Sequence, residues 1–460
     1  MLKRWLVLGA MVTLLLANGA CEEPSGVLGP MVGAVTSSSA KVWFRVSSEG
    51  NNVEVGYGEQ PNLSDETVFP QAVNPREEDD YTGLIELENL SANTMYYYRI
   101  ILNGEPVQSE SFPSFKTFPE SASNLRIGVL ADTFFSAWDS APALQALSDD
   151  GPDLVLVLGD WPHGDKEELS DMRRMHRGFR EKRTLIGRQF LEHILLKYPV
   201  AYVWDDHDYH TNNSDKTFAR KGEALQAYDE YWPCYDRPNP QAGIWHKFTY
   251  GDFVEVFMLD LRSQRDLDTY KDPRYIPDNM PGANRDQLRY DPERSILDGD
   301  ESDGDPKGQK QWLKDGLLTS TAQWKIIAST VAWNPTVPKD DAWWDFLAER
   351  EELMQFIETN DIAGIIFVSG DMHSGGAIDD GTYAGLPEIS LPLCTRASPI
   401  QTTCFLHKPA IKSACGDWSH GGPIEMGNGY GVITLTGTAA VLEAKSETGS
   451  LLLELSLSQE

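Results

Sequence analysis

The chain has 460 residues, 41% of them hydrophobic and 10% aromatic, which excludes whole-chain disorder and supplies apolar material for more than one core. Its formal net charge of −31 makes a surface that repels nucleic acid and anionic membranes, so neither is expected as a structural partner. The same surplus of carboxylates is what a site for multivalent cations requires.

At the N-terminus, Lys3 and Arg4 precede an apolar run from Trp5 to Ala17, followed by Asn18, Gly19, Ala20 and Cys21. This order reads as an export signal over residues 1–20, and the run is short for a membrane span. Cys21 after small residues, with Glu22 and Glu23 behind it, resembles a bacterial lipoprotein cleavage site, although Asn18 stands where an aliphatic residue is expected. The alternatives are ordinary cleavage near Ala20 and a lipid anchor on Cys21. Either makes the location periplasmic, cell-surface or extracellular. In such a compartment Cys234, Cys394, Cys404 and Cys415 allow two disulfides in three connectivities. The last three share one Gly- and Ser-containing stretch, where at least one bridge is expected.

Residues 22–120 read as an all-β sandwich. Short alternating runs, Lys41–Val46, Val53–Tyr57, Thr82–Leu87 and Met95–Leu102, are separated by turn residues. The segment Leu90-Ser-Ala-Asn-Thr-Met-Tyr-Tyr-Tyr-Arg99 resembles the L-x-P-x-T-x-Y-x-Y-R signature of fibronectin type III-like domains, in which a Tyr makes a corner contact.

From residue 121 to 460 strand patterns alternate with helical ones, the texture of an α/β (α+β) domain with a sheet core flanked by helices. Strands are expected at Leu125–Ala131, Asp153–Leu158, Pro199–Trp204, Phe253–Leu259, Trp324–Ser329 and Ala363–Val368. Helices are expected over 137–149 and within 166–197, and closing antiparallel strands over 430–458. A long insertion, 264–310, is rich in Asp, Pro and Gly, as lids and loops are. Its run from Asp298 to Asp305 hints at a calcium loop, but Asp303 occupies the sixth position where the EF-hand pattern requires Gly.

The informative feature is where the acids fall. Successive apolar strands run into Asp132, Gly159-Asp160, Asp205-Asp206-His207-Asp208, Asp260 and Gly370-Asp371-Met372-His373. Singly, an Asp at a strand end is a turn or cap residue. Together they matter, because open α/β sheets bind ligands outside the carboxyl ends of their strands. Carboxylates gathered there repel one another unless a cation neutralises them. Oxygen-rich donors with a few His suit calcium, magnesium, iron or manganese, with zinc disfavoured.

The order D…GDxxH…DDHD…GDMH resembles the calcineurin-like metallophosphoesterases, and among them the alkaline phosphatase D (PhoD) family. Trp204–Asp208 followed by Asn212-Asn213, Leu259–Arg265, Gln311-Trp312-Leu313 and Ser369–Ser374 carry the likeness. The resemblance implies Asp132, Asp160, His163, Asp206, Asp371 and His373 as ligands of two or more metal ions, with Asp160 bridging. It implies His207 as the acid that protonates the leaving group, with Asp208 or a neighbour holding it, and Arg262 as a group that steadies the phosphate. The sequence departs from the wider pattern at Phe134, where His is expected, at His163, where Tyr is common, and at Ser329–Trp333, which lacks a His. The implied activity is hydrolysis of small phosphate monoesters by a monomer, alternatively of diesters or phospholipids; a non-catalytic metal-binding surface protein is the third reading. His176, His193 and His246 read as surface or packing residues, His210 as outer support or loop, and His420 as a residue that could line the pocket.

Overall fold

In a computed structural model of the chain, residues 26–107, 111–133, 140–298, 308–395, 415–422 and 427–458 are described. The export signal, Cys21, Phe134, Cys404 and the Asp-rich run after Asp298 lie outside them. No helix among the described residues is long and apolar enough to cross a membrane.

Two antiparallel sheets form the N-terminal region. One holds Val27–Gly33, Ala40–Val46 and Thr82–Leu87; the other is built on Val53–Gly58 paired with Met95–Leu102. The corner contact is present: the Ser91 backbone N–H donates to the Tyr96 hydroxyl at 2.9 Å. Trp43, fully buried, crosses to the next layer and donates its indole N–H to the Glu230 carbonyl at 2.7 Å. Asp80 ties the same seam by accepting from Arg45, Arg177 and Tyr231.

The remaining chain builds two stacked sheets. The first has six strands in the order Val200–Val203, Leu154–Leu158, Asn124–Leu130, Gly429–Thr436, Ala439–Ser446 and Leu451–Ser458. Its first three strands are parallel, and the last three are the closing antiparallel strands. The second sheet runs His246–Tyr250, Val254–Met258, Trp324–Ser329, Ile365–Asp380 and Pro387–Pro392, with the middle three parallel. The parallel strands are near-continuous apolar runs, as burial on both faces demands.

Strand periodicity separates the two cores of the second sheet. Val256, Met258, Ile326, Ala328, Ile366 and Val368 face the first sheet. Phe257, Ile327, Ile365 and Phe367 face the other way, against Leu313 and Leu317 of helix Gly308–Thr319 and Leu353 and Ile357 of helix Leu347–Thr359. The parallel sets of both sheets bring their carboxyl ends to one edge. The expected helices appear as Pro142–Asp149, Leu169–Gly178 and Leu185–Phe190.

The cysteine expectation is corrected in part. Cys234 and Cys394 are free thiols and Cys415 is disulfide-bonded, so neither Cys234 nor Cys394 takes part in a bridge.

Candidate functional site

At the shared edge the backbone turns out of the strands at Asp132 and Asp160 and breaks the register of Ile365–Asp380 between Ser369 and Ser374, each time through unusual conformations. Asp132, Asp160, Asp371 and His373 have φ of 57°, 50°, 57° and 50°. Non-glycine residues rarely adopt this region, and such strain concentrates at functional sites. Gly159, at φ 75°, explains the tightness locally: a Cβ there would lie 2.4 Å from the Asp205 backbone nitrogen. Only glycine lets the ends of Leu154–Leu158 and Val200–Val203 close on each other.

Asp160 is the centre. It is fully buried and, among the described residues, belongs to each of three groups of donors whose ligand atoms lie within 4.8 Å of one another: Asp160, His163 and His207; Asp132, Asp160 and His373; Asp160, Asp205 and Asp206. Its Oδ2 meets His163 Nδ1 at 3.0 Å, and His373 Nε2 approaches to 4.0 Å. Burial works to raise its pKa, but His163, His207 and His373 outweigh it and hold the carboxyl well below the ordinary range. Asp132 and Asp371 are joined by the Asp371 N–H, which donates to both Asp132 oxygens at 3.1 Å. Burial, with neighbouring carboxylates adding to it, pushes both of these carboxyls well up. Asp206 is raised to about 6 by burial and by Asp160 and Asp205, against the pull of Arg262. Its oxygens accept from the His207 N–H at 2.9 Å and the Asn213 N–H at 2.6 Å.

His207 lies in a one-turn helix, Asp206–Tyr209, capped reciprocally by Asp205 and Asp208. Its ring stacks on His163 with centroids 3.7 Å apart. Its Nδ1 meets Asp165 Oδ1 at 2.5 Å, and its carbonyl accepts from the N–H groups of Gly164 and Asp165. Burial lowers the His207 pKa, but Asp160, Asp206 and Asp165 together lift it to about 9. The neighbour that holds His207 is therefore Asp165. Asp208 faces away: it accepts from the Tyr202 hydroxyl at 2.6 Å, the Trp161 N–H at 3.1 Å and the Asp205 N–H at 2.5 Å. These ties to the cap and to Tyr202 turn it from the imidazole.

Arg262 also differs from expectation. Its guanidinium is wholly buried and turned toward carboxylates rather than toward solvent. It grips Asp205 through Nε at 2.6 Å and Nη2 at 2.8 Å, reaches Asp341 at 3.2 Å and touches Asp371 at 3.3 Å. Thr330, in the stretch without the sought His, donates to Asp205 at 2.6 Å. Asp260 supports the shell by accepting from the Trp204 indole N–H at 2.9 Å and the Ser263 N–H at 2.9 Å.

Sequence reasoning missed Asp165, Asp205 as a cluster member, and the pair Lys339 and Asp341. The Lys339 ammonium bonds the Asp371 carbonyl at 2.7 Å and the Asp371 carboxylate, and stands 3.5 Å from Asp341. The available signal was a Lys-Asp-Asp triplet beyond the strand Trp324–Ser329, on the same sheet edge as the other acids. The packing readings of two histidines stand: His176 is buried and stacked on Tyr231, and His246 is buried with Nδ1 at 2.9 Å from the Ile244 carbonyl; His210, left between outer support and loop, stacks on Phe218. His420 sits by Asp380 at 3.6 Å, outside the cluster.

The donor set fits multivalent cations. Buried carboxylates crowd one point, burial and that crowding push several of them up in pKa, and three overlapping groups share Asp160. A cation would relieve the repulsion. Two cavities of about 610 and 450 Å³ lie beside the N-terminal sandwich, lined by residues such as Trp43 and Leu225 or Phe118 and Tyr235. Their volume carries less chemical weight than the convergence of acids and histidines.

Two packed sheets with acid and histidine donors at their common carboxyl edge make a metallophosphatase fold. The chain belongs to the PhoD-like phosphatase family, whose model matches residues 135–384; residues 24–121 match a separate domain family of unknown function, DUF7800. It is 26% identical over 337 residues to alkaline phosphatase D of Bacillus subtilis (strain 168), covering 64% of this chain and 53% of that protein. The chain thus spans about half the length of this curated relative. A solved structure of PhoD superposes with a TM-score of 0.70 at 18% identity, covering 95% of this chain and 90% of that one. The purple acid phosphatase PPD1 from yellow lupin (Lupinus luteus) seeds does so at 0.57 and 12% identity, covering 95% and 75%. These two likenesses are of fold.

Proposed function

We propose that the chain is an exported, metal-dependent phosphoesterase that hydrolyses phosphate monoesters. The observation that carries this reading is Asp160, shared by three donor groups at the meeting point of two sheets. Bound cations, with calcium, iron or manganese the ions suited to these donors, would polarise phosphoryl oxygens and acidify a water.

Each residue has its part. Asp160 would hold the ions with Asp132 and His373, with His163, and with Asp205 and Asp206, the donors grouped around it, and Asp371 beside Asp132 would add a further carboxylate. His207 donates its proton to the leaving oxygen, oriented by Asp165. Arg262 fixes Asp205 and Asp371 in place, so the cluster is preorganised rather than assembled on binding. Residues 22–120 act as a separate sandwich module beside a catalytic domain of residues 121–460. The signal over residues 1–20 directs export, with Cys21 as the anchor point if a lipid is attached.

The test uses the chain without residues 1–21, stripped with chelator and assayed on chromogenic phosphate mono- and diesters. Calcium, iron, manganese and zinc are restored singly, with Asp160→Asn as the control. Metal-restored turnover of the monoester, lost together with bound metal in Asp160→Asn, is the expected result. Folded protein that turns over no ester with any metal would overturn the reading.

A further inference from the structure

We propose that Lys339 is a catalytic residue that binds the phosphate of the substrate directly, at the Asp371 side of the cluster. This rests on the phosphoesterase reading and adds to it the cation that meets the substrate.

Arg262 stands where a phosphate-binding guanidinium was expected but cannot perform that task. It has no exposed side-chain surface, and its donors are committed to Asp205, Asp341 and Asp371. Bringing it out would strand those buried carboxylates without a counter-charge.

Lys339 is placed differently. Its side chain is 21% exposed, where that of Arg262 is 0% exposed, and its ammonium lies against Asp371 at the cluster. Its backbone is held in a firm loop: the Lys339 N–H donates to the Val337 carbonyl at 2.8 Å, and the Ala342 N–H to the Lys339 carbonyl at 3.1 Å. The side chain can move while its root stays fixed. An ammonium has three N–H donors. The Asp371 carbonyl takes one at 2.7 Å and the Asp371 carboxylate a second. Asp341, at 3.5 Å, is already bonded by Arg262. Were the Asp371 carboxylate to share its charge with a cation, the second donor would be freed, while the carbonyl would still anchor the ammonium.

Topology sets the direction. Lys339 follows the strand Trp324–Ser329 of the second sheet, and His207 follows Val200–Val203 of the first. A phosphate lying across the seam meets one cationic side chain from each sheet. Charge-assisted hydrogen bonds to phosphate oxygens are the strong kind, and a flexible ammonium serves as a point charge for them.

The experiment measures inorganic phosphate in metal-loaded protein, both as a competitive inhibitor and as a calorimetric ligand. It is run on wild type, Lys339→Met and Lys339→Arg, with bound metal quantified for each. Lys339→Met is expected to weaken phosphate binding and raise KM by about 10- to 100-fold with metal content unchanged, and Lys339→Arg to recover part of the loss. Unchanged phosphate affinity, or loss of metal in Lys339→Met, would overturn the inference and leave Lys339 as a counter-cation for Asp371. Wild type that binds phosphate through Lys339 yet hydrolyses no ester would sustain this inference while sinking the activity. Wild type that binds no phosphate would sink the inference.

Discussion

Arg262→Met isolates the electrostatic frame of the site. The wild-type guanidinium is fully buried and joins Asp205 through two hydrogen bonds of 2.6 and 2.8 Å, with Asp341 and Asp371 beside it. Met matches much of its length but leaves these carboxylates without their shared counter-charge. Removing one partner of a buried ion pair costs about 3–5 kcal/mol. With a urea slope of about 3 kcal/mol/M, the midpoint falls by roughly 1 to 1.7 M in chelator-treated protein. The pH dependence has a definite sign. Burial acts to raise the Asp341 pKa, but Lys339, Arg262 and Arg265 outweigh it and hold the carboxyl below its ordinary range. A depressed pKa contributes stability above the unfolded value of about 4 that fades as pH drops below it. The gap between wild type and Arg262→Met is therefore widest at neutral pH and narrows in acid. Tryptophan fluorescence during urea titration at pH 7 and about pH 3, a unit below the unfolded carboxyl value, checks both. A midpoint change under about 0.3 M, equivalent to about 1 kcal/mol on the same slope, would show that Arg262 carries no such charge balance. A gap that widens in acid would do the same.

Asp165→Ala should lower kcat by about 10- to 100-fold and move the basic limb of its pH profile to lower pH, because the imidazolium of His207 loses one of the three acids that lift it to about 9. A basic limb that stays in place would show that His207 is not the donor. Gly159→Ala forces a Cβ to within 2.4 Å of the Asp205 nitrogen at φ 75°. It should cost about 1–3 kcal/mol and weaken metal binding measured by calorimetry, since Asp160 and Asp205 must part. Trp43→Ala removes a buried indole bonded to Glu230 and packed against Tyr231 at 5.8 Å. An earlier thermal transition, equivalent to about 3–5 kcal/mol, is expected, with metal content unchanged.

Much of the site is legible in the chain because its residues are tied to strand ends. A buried parallel strand reads as an apolar run, and the residues just beyond its last apolar position land on the carboxyl edge whatever the loops do. Asp132, Asp160, Asp206, Asp371 and His373 all occupy such positions. Asp165 is hidden because its role depends on φ 51° and on two N–H groups reaching back to His207, and neither leaves a periodic trace. Lys339 and Asp341 are hidden because they lie ten and more residues past their strand.

The succession of strands, the acid at the end of each and the excess of carboxylates are local or compositional properties, so the chain's covalent order is enough to specify them. Which carboxylate pairs with which cation is a matter of distances between segments far apart in that order. The folded molecule assigns Arg262 to Asp205 and Asp341, Asp165 to His207, and Lys339 to Asp371. Charge attraction falls off with separation in space and not with sequence spacing, so these partners are chosen by how the two sheets close at their common edge.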